Sequence, residues 1–462
     1  MFKKILICNR GEIALRVIRT CRDMGIKTVQ VYSKADADSR PVELADEAIL
    51  IGPAPAARSY LHIPSIVHAC LMTGSEAVHP GYGFLSQDTY FAEICKESGI
   101  TFIGPSPRTM EMMGDKSTAR KLMGDAGLPV PGGTEKPLVN YEEARQQAER
   151  VGYPIILKAS AGGGGRGMQV VFRPTDLEEA LESVRATAQA VFKDNRVYLE
   201  KFIRQARHVE IQVMGDAHGN AVYLGERDCS IQRRQQKLIE ESPSTYIDAA
   251  LRRRIGEAAV AGARAIGYES AGTMEFLVDP DRKFYFMEMN TRIQVEHPVT
   301  EATTGLDLIE LMIRVAAGET LPVKQEDIHP QGHAIECRIN AEDPANNWAP
   351  ASGKLTRFIP PGGPDVRVDT HGFTGYTVPP FYDSLLAKVI VHGHNRDDAM
   401  NLMLRALREF SCEGIKTTIP FHQRLLSHPV FRSGDYYLDF LEKYMKPDGT
   451  LTIPEIAAAE AG

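Results

Sequence analysis

The sequence lacks the cysteine patterns of zinc-binding and disulfide-stapled proteins. Its seven cysteines are an odd number, and they are scattered along the chain with no C-x-x-C pair. Scattered thiols are typical of reduced, mostly buried cysteines in a cytosolic protein. We therefore expect a cytoplasmic protein with neither a disulfide framework nor a zinc site.

Long apolar runs are also missing. None approaches the ~18 residues that a membrane-spanning helix needs. The first apolar run stops at Asn9 and Arg10, which makes it too short for the apolar region of a secretory signal peptide. We interpret it as the first β-strand and expect no membrane association.

A surplus of positive charge is absent as well. The formal net charge is -7, whereas a nucleic-acid-binding protein normally carries a basic surplus, so we expect no nucleic-acid partner. The hydrophobic content of 43% and the charged content of 24% are ordinary for a soluble globular protein. A chain of 462 residues has room for two to four domains.

Strand and helix patterns alternate over residues 3–110. Lys4–Cys8 and Thr28–Tyr32 have the pattern of buried strands, and Gly11–Arg19 between them has that of an amphipathic helix. This rhythm predicts a parallel, doubly wound α/β sheet. The turn Asn9–Glu12 contains one glycine instead of G-x-G-x-x-G, which argues against nicotinamide binding.

A boundary is expected at Leu128–Gly133, which is rich in proline and glycine. Asp176 is predicted to cap a helix that begins at Leu177. Further helices are predicted at 249–266 and 306–317. From about residue 333 we expect a β-rich unit that ends in a helix over Arg396–Leu407, followed by a loosely packed tail.

The run Gly162–Gly167 formally matches G-x-G-x-x-G. A dinucleotide loop opens a helix, but here a strand pattern follows at Met168–Phe172, and no Gly-Lys-Ser/Thr of a Walker A loop is present. A glycine loop between two strands favours a flap whose N–H groups fold over phosphates, with Lys158 adding charge. The alternative is a mobile surface hairpin without a ligand.

Apolar and polar residues share the segment Phe284–His297. Because strand side chains alternate between faces, Phe284, Phe286, Glu288 and Asn290 are predicted to lie on one face, so that an apolar face becomes a ligand face. The alternative is an edge strand with a solvated charged end.

A second carboxylate is predicted beside this strand. Glu275 lies on the preceding strand pattern, and a hairpin around Asp279–Asp281 would pair the two strands. Two carboxylates and an amide can hold magnesium while nucleotide phosphates complete its coordination. A lone buried glutamate on a strand is more often ion-paired, which is the competing interpretation.

The run from Arg227 to Lys237 is dense in hydrogen-bond donors. Lys237 and Arg292 could hold a small oxyanion, and Glu296 is a candidate base within reach of it. Structural pairing is the competing interpretation for Arg233 and Arg234. Cys229 is not favoured as a nucleophile, because no base is marked for it.

These motifs together resemble the biotin carboxylase component of biotin-dependent carboxylases, within the ATP-grasp superfamily. The resemblance covers residues 3–446. An Asn-x-Arg core alone would also admit carbamoyl-phosphate synthetase-like proteins, but Gln294–His297 and the segment around Arg338 make the match specific. The matching segments are Ile7–Ala14, His79–Ser86, Met113–Lys116, Lys158–Met168, Glu226–Arg234, Glu288–Glu301 and Glu336–Asp343.

The resemblance implies a three-part α/β architecture. It consists of a Rossmann-like N-terminal domain at 1–113, an ATP-grasp domain at 114–332 with a mobile lid at about 131–203, and a β-rich C-terminal domain at 333–446. Residues 447–462 would be a flexible tail.

The resemblance also implies the residues that bind ATP. Lys116 and Lys158 would bind its phosphates, with the flap at Gly164 and Gly165 closing over them. The adenine hinge and the other nucleotide contacts would come from Glu200, Lys201, Phe202, Ile203, His208, Gln232 and Gln235.

The remaining implied roles concern metal, bicarbonate and biotin. Glu275, Glu288 and Asn290 would hold Mg²⁺ or Mn²⁺. Arg338 would stabilise the enolate-like form of biotin, with Tyr82 nearby. Bicarbonate would be held by Lys237, Arg292, Gln294 and Val295, and deprotonated by Glu296.

The implied activity is ATP-dependent carboxylation of biotin through carboxyphosphate. Since the chain has no Ala-Met-Lys-Met segment, the biotin carrier and the carboxyltransferase are expected on other chains. A homodimer is expected, with its contact around Arg16, Arg19 and Asp23. The final acceptor stays open among acetyl-CoA, propionyl-CoA, pyruvate and 2-oxoglutarate.

Three residues depart from the family pattern. Gln235 stands where histidine is frequent, Gln87 where glutamate is common, and Ala161 in place of a first glycine. None of them removes a catalytic group. Two alternatives to biotin carboxylation stay open, namely another ATP-grasp ligase with an amine acceptor and a catalytically silent scaffold protein. The intact set of charged residues argues against the scaffold.

Overall fold

The computed structural model describes residues 1–161 and 167–454. Its first part is a five-stranded parallel sheet in the order β3-β2-β1-β4-β5, which confirms the predicted doubly wound sheet. The strands are β1 (Lys4–Ile7), β2 (Lys27–Ser33), β3 (Glu47–Gly52), β4 (Ala77–His79) and β5 (Thr101–Phe102). The helices are α1 (Gly11–Asp23), α2 (Arg40–Leu44), α3 (Ile63–Thr73), α4 (Thr89–Glu97) and α5 (Pro107–Gly114).

Both faces of this sheet are covered, because the central strand β1 is apolar on both sides from Ile5 to Ile7. Ile5 and Ile7 pack with residues of α1, while Leu6 and Cys8 pack with residues of α3 and α4. Continuous apolar strands of this kind are typical of parallel sheets buried on both faces. The buried sheet fixes the turn after β1, which carries Asn9 and Glu12 toward the centre of the molecule.

A small three-stranded sheet in the order β7-β6-β8 follows. Lys158 on β6 pairs with Met168 on β7, so the predicted strand–loop–strand arrangement is confirmed, while Gly164 and Gly165 lie outside the described residues. The elements of this region are α6 (Lys116–Asp125), α7 (Tyr141–Val151), β6 (Ile155–Ala159), β7 (Met168–Val171), α8 (Leu177–Phe192) and β8 (Val197–Lys201).

The prediction that Asp176 caps α8 through its side chain is wrong. Asp176 occupies the position before the helix, but its backbone is already helical and its side chain makes no capping hydrogen bond. Its carboxylate instead accepts hydrogen bonds from Arg173 and Thr175. A short 3₁₀ turn over Pro174–Asp176 leads directly into the helix and turns this side chain away from the helix N–H groups.

An eight-stranded sheet in the order β13-β12-β9-β10-β11-β14-β21-β19 forms the centre of the molecule. Its first half belongs to the middle of the chain. The elements there are β9 (Arg207–Gly215), β10 (Ala221–Arg233), β11 (Gln236–Ser242), α9 (Ala249–Ala265), β12 (Ser270–Val278), β13 (Phe284–Asn290), α10 (His297–Thr304) and α11 (Leu308–Ala316). Helix α10 was not predicted, because its valine and threonines have low helix propensity.

The second half of this sheet comes from the C-terminal part of the chain. Its helix α12 confirms the helix predicted from Arg396. The elements are β14 (His333–Asn340), β15 (Glu342–Asp343), β16 (Ala349–Pro350), β17 (Gly353–Lys354), β18 (Arg357–Ile359), β19 (Val366–Thr370), β20 (Thr377–Val378), β21 (Leu385–Gly393), α12 (Arg396–Glu409), β22 (Ser411–Glu413), α13 (Ile419–Leu426), α14 (Pro429–Ser433) and α15 (Phe440–Tyr444). No helix in the described ranges combines the length and apolarity needed to cross a bilayer.

The prediction that one face of β13 changes from apolar to ligand-bearing is wrong. Phe286 pairs with Phe276 and Glu288 pairs with Glu275, so Met287 is an extra residue between the two pairs. Such a bulge shifts the alternation of faces by one residue. Phe286 therefore packs in the core, whereas Glu288 lies on the opposite face beside Glu275.

Glu241 on β11 connects the middle of the chain to the C-terminal elements. Its carboxylate accepts hydrogen bonds from His333 Nε2 at 2.7 Å, from Arg396 Nε at 2.7 Å and from the Tyr436 hydroxyl. Burial alone would raise the pKa of Glu241, but His333 and Arg396 outweigh it and hold that pKa well below its usual range. Glu241 is thus an ionised, fully buried group.

We expect Glu241→Gln to lower the free energy of unfolding by about 3 kcal/mol at pH 7, because it breaks a buried ion pair. Because the pKa of Glu241 is lower in the folded than in the unfolded protein, the ionised carboxylate stabilises the fold above the unfolded-state pKa. This stabilisation is lost as the pH falls through the folded-state pKa. The difference from the parent protein should therefore shrink in acid. Urea denaturation at several pH values measures it, with Glu413→Gln at the exposed Arg357 pair as a control of little effect.

Candidate active site

The buried ammonium of Lys237 is the centre of the site. Lys237 Nζ lies 2.5 Å from Glu210, 2.6 Å from Glu296 and 3.0 Å from Glu275. Burial would lower the pKa of Lys237, but the carboxylates outweigh it and hold the pKa well above its usual value. Lys237 therefore carries its charge throughout the neutral range, as the sequence predicts for an oxyanion-binding residue.

The predicted metal residues come together at the carboxyl end of β13. Glu275 and Glu288 are register partners on neighbouring strands, and Asn290 Nδ2 donates to Glu275 Oε1 at 2.9 Å. Lys116 Nζ lies 2.9 Å from Glu288. These hard oxygen donors fit a divalent cation such as Mg²⁺.

His208 lies against the same carboxylates. Its Nε2 atom is 3.2 Å from Glu275 and 3.8 Å from Glu210. Burial would lower the pKa of His208, but Glu275 and Glu210 outweigh it and raise the pKa to about 9. A protonated imidazole donates hydrogen bonds and does not ligate a metal, so His208 suits the phosphate side of the site.

Lys158 and Glu200 face each other across the small sheet. Lys158 Nζ lies 2.6 Å from Glu200, and Arg120 Nη1 lies 3.1 Å from the other oxygen of the same carboxylate. The side chain of Glu200, a predicted hinge residue, thus holds two cations, and only its backbone is left for an adenine. Sequence reasoning missed Arg120, because it lies on α6 outside any motif.

The rest of the predicted hinge consists of the last residue of β8, Lys201, and the two residues that follow it. Lys201 Nζ donates to the carbonyls of Gly152 and Tyr153, and Phe202 and Ile203 are half-buried. The Phe202 ring lies 6.3 Å from the ring of Phe172. This apolar strip beside backbone donors and acceptors is suited to a flat aromatic base.

Glu296 lies between two cations. Its Oε1 atom is 2.6 Å from Lys237 Nζ, and its Oε2 atom is 3.0 Å from Arg338 Nη2. Burial would raise the pKa of Glu296, but Lys237 and then Arg338 outweigh it and lower the pKa. An ionised Glu296 can accept a proton from a group held beside Lys237.

The loop between β13 and α10 carries the other predicted anion-binding residues. Arg292 Nε donates to Gln87 Oε1 at 2.8 Å. Because Gln87 stands where the family pattern commonly has glutamate, a neutral amide and not a carboxylate contacts this arginine. Gln294 Nε2 donates to Glu275 at 2.9 Å, and the carbonyl of Val295 accepts from Lys388 at 2.9 Å. All three lie within one short loop around the metal carboxylates.

Tyr82 lies beside Glu12 and Lys388, whose Nζ atom is 6.0 Å from the centre of the Tyr82 ring. Its hydroxyl donates to Glu12, and Lys388 Nζ lies 3.2 Å from the same carboxylate. Sequence reasoning missed Lys388, which lies on β21 outside any matching motif. It also gave no role to Arg227, a fully buried guanidinium that contacts Glu210 at 2.6 Å.

The hairpin between β10 and β11 places the remaining candidates. Gln232 donates to the carbonyl of Cys229 at 2.8 Å. Arg234 and Gln235 occupy the exposed turn with positive φ angles, as in a type I′ turn. Gln235 is therefore at the tip of the hairpin, while Arg233 packs on the Trp348 ring at 5.0 Å instead of forming an ion pair.

Cys229 itself is fully buried. Burial, followed by Glu210, raises the pKa of its thiol well above the usual value. A thiol in this environment stays protonated and is inert as a nucleophile.

Three family models together match nearly the whole chain. Residues 1–110 match the biotin carboxylase N-terminal domain, residues 115–324 match the carbamoyl-phosphate synthase L chain ATP-binding domain, and residues 336–443 match the biotin carboxylase C-terminal domain.

Two relatives are similar over almost their full length. Biotin carboxylase 1 of Bacillus subtilis is 52% identical over 96% of this chain and 99% of its own. A pyruvate carboxylase subunit of Methanothermobacter thermautotrophicus is 51% identical over 96% of this chain and 91% of its own.

Solved structures agree with the sequence matches. A Campylobacter jejuni biotin carboxylase in a β,γ-ATP complex has a TM-score of 0.94 at 49% identity and covers 96% of this chain and 99% of its own. The biotin carboxylase domain dimer of Hydrogenobacter thermophilus 2-oxoglutarate carboxylase, in complex with MgADP, ADP and bicarbonate, has a TM-score of 0.93 at 47% identity, with 96% and 98% covered.

We expect Lys237→Met to lower the free energy of unfolding by about 3–5 kcal/mol at pH 7, because it leaves clustered buried carboxylates without their cation. Without Lys237, burial and mutual repulsion would raise the folded-state pKa of these carboxylates. The penalty should therefore shrink as the pH falls toward 5. Urea unfolding at both pH values measures this, with the exposed Lys283→Met as control; an unchanged midpoint would contradict the central role of Lys237.

Proposed function

The chain belongs to the biotin carboxylase family, and we propose that the residues grouped around Lys237 carry out the family's reaction. The chain is an ATP-grasp ligase that carboxylates biotin, with ATP, magnesium and bicarbonate, as one part of a multisubunit carboxylase. The observation that carries the assignment of roles is the position of Glu296, 2.6 Å from Lys237 and 3.0 Å from Arg338. One carboxylate thereby adjoins both an anion-binding cation and the candidate biotin arginine.

The nucleotide would be held between the two sheets. Lys116 and Lys158 would contact its phosphates, and the glycine flap would close over them and exclude water. Glu275, Glu288 and Asn290 would hold Mg²⁺, which neutralises charge on the phosphates. His208, protonated at neutral pH, would donate to the same phosphate groups.

Bicarbonate would lie beside Lys237 and Arg292, whose cations stabilise its negative charge. Glu296 would accept its proton, so that an oxygen of the resulting anion attacks the γ-phosphate of ATP. ADP leaves, and the resulting carboxyphosphate breaks down to carbon dioxide and phosphate. The protein contributes positioning and charge stabilisation here and forms no covalent bond of its own.

Biotin would enter on the side of Tyr82. Arg338 would stabilise the negative charge that develops on the ureido oxygen when the N1 proton leaves, and phosphate would accept that proton. The deprotonated N1 then attacks carbon dioxide, which becomes the carboxyl group of carboxybiotin. Because Arg338 also touches Glu296, the bicarbonate and biotin halves of the reaction adjoin one another.

The partners would be a biotin carrier and a carboxyltransferase on other chains, and the protein would act in the cytoplasm. The final acceptor is a property of the carboxyltransferase, and the relatives include components of pyruvate and 2-oxoglutarate carboxylases. The carbamoyl-phosphate synthase match of the central region keeps an amine acceptor as the second candidate. The flanking biotin carboxylase matches disfavour it.

A homodimer would form through α1. Arg19 and Asp23 are exposed and lie one turn apart on this helix, which supports the predicted contact. Arg16 is unsuited to a direct contact, because it is buried against Glu301 at 2.9 Å and Asp307 at 2.8 Å. The solved relative from Hydrogenobacter thermophilus is a dimer.

We expect Arg338→Ala and Glu296→Ala to separate the two halves of the reaction. Arg338→Ala should retain much of the bicarbonate-dependent ATP cleavage but form carboxybiotin ~10²–10³-fold more slowly, because a stabilising donor is lost. Glu296→Ala should lose both activities, because bicarbonate keeps its proton. Phosphate release and carboxybiotin formation, measured with free biotin, test both variants.

The surface substitution Arg357→Ala is the matched control for these variants and should leave both activities unchanged. A normal carboxybiotin yield in Arg338→Ala would contradict the biotin role. Continued bicarbonate-dependent ATP cleavage in Glu296→Ala would contradict the role of Glu296 as base. Product formation with an amine instead of biotin would favour the second candidate.

We expect the protein to sediment as a dimer at micromolar concentration, and Arg19→Glu to shift it toward monomer by placing like charges at the contact. Sedimentation velocity measures this, with the exposed lid substitution Arg173→Glu as control. A monomeric parent protein would refute the homodimer.

A further inference from the structure

Glu336 is a buried acid that the proposed reaction does not use. Its side chain is 0% exposed, and neither carboxylate oxygen has a hydrogen-bond partner in the described part of the chain. Glu336 lies on β14 on the same face as Ala334 and Arg338, beneath α10. An ionised carboxylate with no donor is costly to bury, so this group needs a proton or a partner.

One candidate partner is another carboxylate. Glu240 on β11 is the register partner of Glu336, so the two side chains project from adjacent backbone positions on one face of the sheet. Glu240 Oε1 accepts from Arg338 Nε at 2.6 Å, whereas Glu240 Oε2 is buried with no partner among the described residues. Glu240 and Glu336 thus each have a carboxylate oxygen without a donor. One proton shared between the two carboxyl groups would satisfy both.

The charged groups around the pair come from every neighbouring element. Lys388 faces it from β21, Arg338 from β14, Lys237 from β11 and Glu296 from the loop before α10. Helix α10 adds His297, whose Nδ1 contacts the Gln294 carbonyl and whose Nε2 has no hydrogen-bond partner among the described residues. It also adds Glu301, which pairs with Arg16 and Arg367. Arg338 contacts Glu240 of the pair as well as Glu296, and Lys388 contacts Glu12, so neither cation pairs with Glu336 among the described residues.

The direction of the pKa shifts agrees with this geometry. Burial raises the pKa of Glu336 well above its usual value, with Lys388 only partly opposing it. Burial also raises the pKa of Glu240, to about 7, against the effect of Arg338. Two neighbouring carboxyl groups that cannot both ionise titrate as a pair.

We propose that Glu240 and Glu336 share one proton at neutral pH and act as a positioning pair for Arg338. Glu240 is the carboxylate that orients the guanidinium, and Glu336 is the acid that donates to the free oxygen of Glu240. This inference rests on the proposed function in one respect, namely that Arg338 serves biotin. The sharing of the proton depends only on how the fold places Glu240 and Glu336, and not on what Arg338 binds.

The shared proton limits the negative charge next to Arg338. With Glu336 protonated, Arg338 faces the carboxylates of Glu240 and Glu296 only. Ionisation of Glu336 would add a third negative charge and weaken the field that stabilises the developing charge on biotin. Carboxybiotin formation should therefore decline at alkaline pH, while bicarbonate-dependent ATP cleavage, which depends on Lys237 and Glu296, should decline less.

Infrared difference spectroscopy of the complete chain tests the proton directly. The parent protein should show the carbonyl band of a buried protonated carboxyl at pH 7, and Glu336→Gln should lose it. Glu336→Asp retains an acid and should retain a shifted band. An identical band in Glu336→Gln would overturn the proposal. If that variant fails to fold, an unshifted band in Glu336→Asp would overturn it in the same way.

The pH profile tests the functional consequence. The readout is the ratio of carboxybiotin formed to ATP cleaved, measured with free biotin from pH 6 to pH 9. The ratio should fall at high pH in the parent protein and in Glu336→Asp, and should be independent of pH in Glu336→Gln, because an amide cannot ionise. The same alkaline decline in Glu336→Gln would overturn the proposal.

Glu240→Gln tests the positioning part. It should lower carboxybiotin turnover about tenfold, less than the ~10²-fold cost of deleting a stabilising donor itself. It should leave the KM for bicarbonate unchanged, which a general loss of structure would not do. Turnover equal to the parent protein would overturn the positioning role. If the parent protein forms no carboxybiotin, the proposed function fails, while the infrared experiment still decides whether the proton is shared.

Discussion

The charge of Lys237 is the constraint on which the rest of the site depends. Its ammonium connects strands β9 and β12 with the loop before α10, because it contacts one carboxylate on each. Arg227 supports the same assembly from beneath through Glu210. Buried carboxylates at this density are tolerated only when cations of matching geometry lie among them. The site is therefore a rigid lattice of alternating charges, built before any substrate binds, and such preorganised charge is what stabilises a transition state.

The large sheet determines where this lattice can be. The bulge at Met287 lets β13 bury phenylalanines on one face and present Glu288 on the other. The pairing of β11 with β14 then brings Arg338 to Glu296. The candidate metal carboxylates, the candidate base and the candidate biotin arginine are consequently attached to one continuous set of hydrogen-bonded strands. Lys158, which is predicted to bind phosphate, lies instead on the separate small sheet, whose loop is the predicted flap.

Much of this arrangement could be predicted from the sequence, and the exceptions have physical causes. The parallel sheet follows from the alternation of strand and helix patterns, and the meeting of Glu275 with Glu288 follows from a hairpin signal between two strand patterns. The faces of β13 were predicted wrongly, because one extra residue reverses the alternation and leaves no mark in the pattern. Arg120 and Lys388 were missed, and Arg227 was noticed in the donor-rich run but given no role, because long-range pairing places them and no local spacing records it. Glu200 was assigned to the right region, but its side chain serves Lys158.

The continuity of the eight-stranded sheet has a consequence for how this protein can be divided. Sequence matches separate the central and C-terminal regions between residues 324 and 336, as if a modular junction lay there. Cutting the chain at that junction would separate β11 from β14 and leave two strand edges without hydrogen-bond partners. It would also separate the carboxylates of Glu240 and Glu241 from Arg338 and Arg396, the cations that they contact. The central and C-terminal regions, although separate family models match them, are thus not independent units of folding.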